Sequence, residues 1–268
     1  MVAIKSIDTL TDYYKTRNEG DRLLSKSGAV EFIVTTAYIN KYLKRGDHIL
    51  EVGCGTGQYT LFYARKGYTV DAVELVESNL EILQKNRRKG DRISAIQGNA
   101  LDLSMYADNL FDITLLLGPM YHLYTEDDKL QCLKESIRVT KKDGIIFVAF
   151  CQFDAPMIQT GFLHNKINFL VENGMLDEET YLPISNPAGI FELYRKEQID
   201  LLNEHFSVQR LHYIGTDMFT QYFPEQIESM DDRMYQRYLD YTFTVCENPN
   251  LVGLSNHTLD VLKKVSDR

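Results

Sequence analysis

The sequence of 268 residues predicts an α/β fold, an open and mostly parallel sheet with helices on both faces. Three observations carry this reading. Short apolar runs alternate with amphipathic stretches from Gly46 to Phe150, the rhythm of βαβ units. A glycine turn, Gly53-Cys54-Gly55-Thr56-Gly57, follows the first run and opens onto a helical pattern. Glu74 and Asn99 stand just past the next two runs, where open sheets bind their ligands.

His48-Ile49-Leu50-Glu51-Val52 is the first strand, and residues 59–65 begin a helix after the glycine turn. Thr69-Val70-Asp71-Ala72-Val73 is the second strand, followed by a helix over 78–89 that Gly90 stops. Residues 92–97 form the third strand and 111–117 the fourth, apolar enough to be central. Thr125 followed by Asp128 caps a helix carrying Leu130, Leu133 and Ile137. Lys142-Asp143-Gly144 reads as a turn before a fifth strand over 145–150.

Beyond Cys151 the texture changes. Pro156, Pro183 and Pro187 punctuate the chain, with one helix near 162–172. A helix over 196–205 and a strand over 207–214 follow. A further helix after Pro224 places Ile227, Met230, Met234, Tyr238, Tyr241 and Val245 on one face, a stripe that reads as core packing. Residues 258–262 alternate like a final edge strand. The expected organisation is a single domain over 1–268. N-terminal helices occupy 1–43, a binding core 44–151, and cap or substrate-side insertions 152–193 and 215–250.

Charge and cysteine usage narrow the classes. With 29 basic against 38 acidic residues, net −9, the chain lacks the basic field that a nucleic-acid surface requires. The run Lys85-Asn86-Arg87-Arg88-Lys89 falls at a helix end, where it complements the dipole. Cys54, Cys132, Cys151 and Cys246 form no CxxC pair, so no metal site or disulfide framework is expected. Neither a signal core nor a membrane-length apolar run is present, and a cytoplasmic setting is expected. Oligomeric state is not readable.

Gly53, Gly55 and Gly57 permit positive φ and let a ligand lie against bare backbone. Gln58 stands where a dinucleotide fingerprint wants glycine or alanine, which favours a nucleoside ligand without a pyrophosphate. Glu74, followed by Leu75, can accept from ribose hydroxyls, and Asn99 can bond an adenine edge beside Ala100. Gly118-Pro119-Met120-Tyr121-His122-Leu123 follows the fourth strand and should face the reacting centre. There His122 can take a proton, and Tyr121 can bond the acceptor or lean on a sulfonium.

Residues 49–57 together with Glu74, Asn99-Ala100 and this fourth loop resemble a class I S-adenosylmethionine-dependent methyltransferase. More narrowly, they resemble a bacterial small-molecule subgroup with a Gly-Pro-Leu-Tyr-His-Leu loop, in which Met120 here replaces leucine. The resemblance extends to Glu19, Arg22-Leu23, Glu31-Phe32 and Thr35 near the N-terminus, and to Ser255-Asn256-His257-Thr258-Leu259 as a last strand. It implies a Rossmann-like methyltransferase fold with a mostly parallel seven-stranded sheet and a helical cap. It also implies S-adenosylmethionine as cofactor, S-adenosylhomocysteine as product, and a small-molecule acceptor. Gly53, Gly55 and Gly57 would face the methionine and ribose portions, with Glu51 under the amino group. Glu74 and Leu75 would serve the ribose, Asn99 and Ala100 the adenine, Gly118 the methionyl end, and Arg22 the carboxylate. Transfer would proceed by in-line alignment, assisted by Tyr121 and His122, under a lid using Tyr13, Tyr14 and residues 213–223. A protein or RNA methyltransferase, or a non-catalytic binding module, are the competing readings.

Overall fold

The computed structural model describes Tyr13, residues 25–186 and residues 191–266. Helix α1 (Lys26–Tyr42) starts where the Ser25 hydroxyl accepts from the Gly28 N–H at 3.0 Å. It buries Val30, Val34, Tyr38 and Ile39 against one face of the sheet. Strands β1 (His48–Val52), β2 (Thr69–Glu74), β3 (Arg92–Gln97), β4 (Phe111–Leu116) and β5 (Thr140–Gln152) run parallel in the order β3-β2-β1-β4-β5. Helices α2 (Gln58–Arg65), α3 (Glu77–Asn86) and α4 (Glu126–Val139) supply the crossovers. The expected cap of α4 is present, with Thr125 accepting from the Asp128 N–H at 3.2 Å. Arg87 already ends α3, so most of the basic run lies beyond that helix.

The remaining strands differ from the expected edge arrangement. The two-residue β6 (Leu193–Tyr194) pairs with Cys151 and Gln152, extending the sheet beyond the end of β4. Helix α6 (Lys196–Glu204) then leads to β7 (Val208–Gly215). The final strand β8 (His257–Lys264) inserts antiparallel between β5 and β7, so it is interior and β7 is the edge. The alternation at 258–262 imitated an edge strand because Asp260 is polar. That side chain is fully buried, held by Arg210 Nε at 2.6 Å, Arg210 Nη2 at 2.8 Å and Asn203 Nδ2 at 2.7 Å. The main path of the sheet holds the expected seven strands, and the two-residue β6 adds an eighth beside β5.

Three local expectations also change. The turn at Lys142-Asp143-Gly144 is part of β5, accommodated by φ +64° at Asp143 and a register shift against β4. The single helix near 162–172 is instead a π-helical segment (Met157–Leu163) and a short α5 (Ile167–Glu172), parted where Asn165 adopts φ +55°. The helix after Pro224 breaks into α7 (Pro224–Ser229) and α8 (Asp232–Val245), because Asp231 caps a new helix through the Met234 N–H at 2.8 Å. Its stripe is not continuous core: Ile227 and Val245 are buried, while Met234 and Tyr241 are about half exposed, at 55% and 51%.

The insertion is tied to α1. Glu228 of α7 accepts from the Ser27 N–H at 2.8 Å, the Ser27 hydroxyl at 2.6 Å and the Lys26 N–H at 3.2 Å. Replacing Arg210 with methionine strands the Asp260 charge in the interior, with Asn203 as its remaining donor. Urea denaturation should register a loss of about 3–5 kcal/mol, partly recovered in an R210M/D260L double variant.

Candidate active site

The glycine turn is shaped by the strand beside it. The N–H groups of Gly53 and Cys54 both donate to the Val73 carbonyl, at 2.8 and 3.1 Å, which bends the chain sharply at the end of β1. Gly53, Gly55 and Gly57 all take positive φ, as the spacing predicts, but for different reasons. A Cβ on Gly53 would meet Pro119 Cδ at 2.7 Å, and one on Gly57 would meet Leu83 Cδ1 at 2.6 Å. A Cβ on Gly55 would meet nothing within 4 Å, so that face of the turn is bare backbone open to a ligand. Gly118 completes the cradle, for its own Cβ position is 3.2 Å from the Gly53 carbonyl oxygen.

Two carboxyl groups lie under and beside this turn. Glu74 is buried and bridges the turn to the next helix. Its Oε2 accepts from the Gly55 N–H at 2.8 Å, and its Oε1 accepts from the Val76 N–H at 2.9 Å and from Asn79 Nδ2 at 3.2 Å. A carboxylate offers about four lone-pair sites, so Oε2 retains capacity for a ligand hydroxyl. Leu75, the next residue, uses its carbonyl to accept from Gln97 Nε2 at 3.1 Å. Glu51 is buried on β1 and takes a hydrogen bond from the Thr60 hydroxyl. Burial pushes its pKa up to about 8; Thr60 opposes the rise and the neighbouring Glu74 adds to it. The pair thus places a carboxyl that favours its neutral form near pH 7 beside one already bound to N–H donors.

Asn99 forms an Asx turn, its Oδ1 accepting from the Leu101 N–H at 3.0 Å, and this fixes Ala100 beyond the end of β3. The loop after β4 is a 3₁₀ turn (Pro119–His122) whose Met120 is buried. Tyr121 donates its hydroxyl to the Leu117 carbonyl at 2.8 Å, which anchors the ring in this loop. Its ring, the His122 ring and Phe191 pack together with centroids 4.8, 5.4 and 5.9 Å apart, and Tyr13 meets Phe191 edge-on at 5.8 Å. Phe191 is held there because the Glu192 N–H donates to the Tyr121 carbonyl at 2.7 Å. The Glu192 carboxylate also pairs with Lys129 at 2.7 Å.

Arg22 and Tyr14, with Glu19 and Leu23, lie outside the described residues. The lid expected over 213–223 is divided: Tyr213 belongs to β7 and bonds Gln152, while Phe219 stacks on Tyr241 and Phe223 meets Tyr238. Sequence reasoning missed Phe191, which no motif marks. It also missed any role for a cluster of Glu31, Asp217 and His257 at the same edge of the sheet. A shallow hollow of about 590 Å³, lined in part by Asp127, Gln131, Lys134, His205 and Phe206, shares no residue with this site.

Residues 50–148 match the family model for a methyltransferase domain. Methyltransferase GfsG of Streptomyces halstedii is 33% identical over 161 residues, 59% of this chain and 54% of that protein. Protein arginine N-methyltransferase 1 of Schizosaccharomyces pombe is 30% identical over 135 residues, 48% of this chain and 39% of that protein. The chain spans about half or less of the length of these curated relatives. A solved SAM-dependent methyltransferase from Thermotoga maritima, described as a possible histamine N-methyltransferase, superposes with TM-score 0.57. It is 17% identical, with 94% of this chain and 98% of that chain covered. The fold is that of the S-adenosylmethionine-dependent methyltransferases.

Two outcomes follow from this geometry. Gly57→Ala forces a side chain into Leu83 at a positive φ and should lower stability by about 1–3 kcal/mol in thermal melts. Gly55→Ala meets no neighbour but carries the strain of a positive φ, so it should cost about 1 kcal/mol of stability and also weaken ligand binding, read by calorimetry. The raised Glu51 pKa also sets a sign. The folded state prefers the protonated acid, so its stabilisation is complete below the unfolded value near 4.5 and fades as pH rises to about 8. Glu51→Gln should therefore flatten the fall in Tm between those limits.

Proposed function

We propose, from the premise that residues 50–148 are an S-adenosylmethionine-dependent methyltransferase domain, that this chain transfers a methyl group to a small-molecule acceptor. The observation that carries the cofactor half is the bare turn at Gly55 flanked by the bonded carboxylate of Glu74 and the neutral-leaning carboxyl of Glu51. In this reading Gly53, Gly55 and Gly57 present backbone to the ligand, and Glu74 with Leu75 takes the ribose. Asn99 and Ala100 border the adenine, and Gly118 keeps the methionyl end clear. Arg22 is proposed for the carboxylate from the sequence alone. The bound cofactor supplies an electrophilic methyl on a positive sulfur.

The chain's own contribution is alignment. Aromatic walls from Tyr121, His122 and Phe191 line the carboxyl edge beyond β4, where a positive centre is attracted to π faces and water is displaced. The net charge of −9 favours a small acceptor over a polynucleotide. A protein acceptor is the second reading, supported by the arginine methyltransferase relative. The enclosing β6 segment, latched through Glu192 to Lys129 and Tyr121, weighs on the side of a compact substrate.

Calorimetry should show S-adenosylmethionine binding, at least about tenfold weaker in Glu74→Ala, and none for NAD. Because Glu51 stays largely protonated without a ligand, binding at pH 7 should release a proton, seen as a buffer-dependent enthalpy. Incubation with fractionated metabolites should give a product heavier by one methyl in place of hydrogen. Tight NAD binding without S-adenosylmethionine binding would remove the proposal.

A further inference from the structure

A second polar cluster stands at the same carboxyl edge, assembled from three distant segments. β8 enters the sheet at His257, directly opposite Cys151 of β5, and Cys151 on its other side faces Leu193 of β6. His257 is thus two strand spacings, about 10 Å, from Leu193, which follows Phe191 by two residues. Its Nδ1 lies 2.8 Å from Asp217 Oδ2 and 3.6 Å from Glu31 Oε2. Asp217 is fixed in turn, because its Oδ1 accepts from the Ser255 hydroxyl at 2.6 Å and from the His257 N–H at 3.1 Å. Asp217 is buried, but the His257 side chain keeps 27% of its surface exposed.

With Nδ1 turned toward two carboxylates, Nε2 is the nitrogen that remains to meet a ligand. Cap residues converge on the same place. Gln159, from the π-helical segment, forms a paired amide contact with Asn256 at 2.7 and 3.1 Å, immediately before His257. The Tyr222 hydroxyl is buried there too, beside the Gln159 amide and facing the Asp217 carboxylate.

We propose that His257, oriented by Asp217 and flanked by Glu31, accepts the proton of the methyl acceptor, which is then a hydroxyl or amine compound bound beneath the cap. The inference rests on the methyl-transfer reading above. As the acceptor's lone pair forms its bond to the methyl carbon, the carbon–sulfur bond breaks and leaves its electron pair on sulfur. The O–H or N–H proton of the acceptor passes to Nε2, and the imidazolium is balanced by the two carboxylates. Burial opposes that charge. Glu31 from α1 and Asp217 after β7, with Cys151 from β5, outweigh it and hold the His257 pKa well above its ordinary value. Transfer should therefore rise with pH as the imidazolium loses its resting proton.

The test uses S-adenosylmethionine carrying a ¹³C-labelled methyl, with a deproteinised cell extract as the acceptor probe. H257N should lower label transfer by about 100-fold or more, while cofactor affinity by calorimetry stays within about twofold. H257Q serves as a second variant. D217N and E31Q should move the rising limb of the pH profile to lower pH, together with the midpoint of the His257 ring signals in an NMR titration. A merely structural histidine would shift its ring midpoint in these variants but leave the limb of the transfer profile in place. Transfer in H257N within about threefold of wild type, or an unmoved limb in both carboxylate variants whatever the ring midpoint does, overturns the proposal alone. So does transfer that a chelator abolishes and Zn²⁺ restores, which would make the cluster a metal site. Failure of the wild type to bind the cofactor overturns the methyl-transfer reading and this proposal with it.

Discussion

The site depends on a backbone constraint: the end of β1 must turn within van der Waals contact of two other segments. Val73 draws Gly53 and Cys54 toward β2 through its single carbonyl, Pro119 closes over Gly53, and Leu83 closes over Gly57. The Pro119 and Leu83 contacts each forbid a side chain, and all three tie the turn to different segments. The loop after β4 and the first turns of α2 and α3 therefore take their places from the same few atoms. Glu74 extends the arrangement by holding Gly55 from β2, so the carboxylate proposed for the ribose also supports the turn itself.

That double use explains the contrast between the two acids. Glu74 is surrounded by N–H donors, whereas Glu51, a few residues before Gly55, has the Thr60 hydroxyl and little else to offset its burial. The core beneath the turn consequently stores an acid that favours its neutral form until a positive group arrives. Preorganisation of this kind resides in the strands, not in mobile loops.

Much of the parallel half was legible in the sequence because its signals are local. The strand–glycine–helix order, Glu74 past β2, and Thr125 before Asp128 each need only a few consecutive residues to be read. The later half was less legible for the opposite reason. Asp260 looked solvent-facing because Arg210, fifty residues earlier, supplies its partner across β7. The break at Asp231 competes with a good apolar stripe and wins through a single capping bond. Glu31 and His257 stand in stretches that carry the resemblance, but nothing local joins them to Asp217; only the insertion of β8 between β5 and β7 brings the three together. Phe191 had no motif, and its place follows from a backbone bond made by the next residue.

The clamp between Glu228 and the start of α1 has a consequence for how such a domain can be recombined. The insertion over 215–250 is the natural module to exchange when a different acceptor is wanted. Its Glu228 nevertheless completes the N-terminus of a helix some two hundred positions earlier, and that helix carries Glu31. A graft that imports a new insertion without its matching Ser27 would leave α1 without these bonds and detach one acid of the cluster from its register. The exchangeable unit is therefore discontinuous: the beginning of α1 travels with residues 215–250, and the glycine turn between them stays behind.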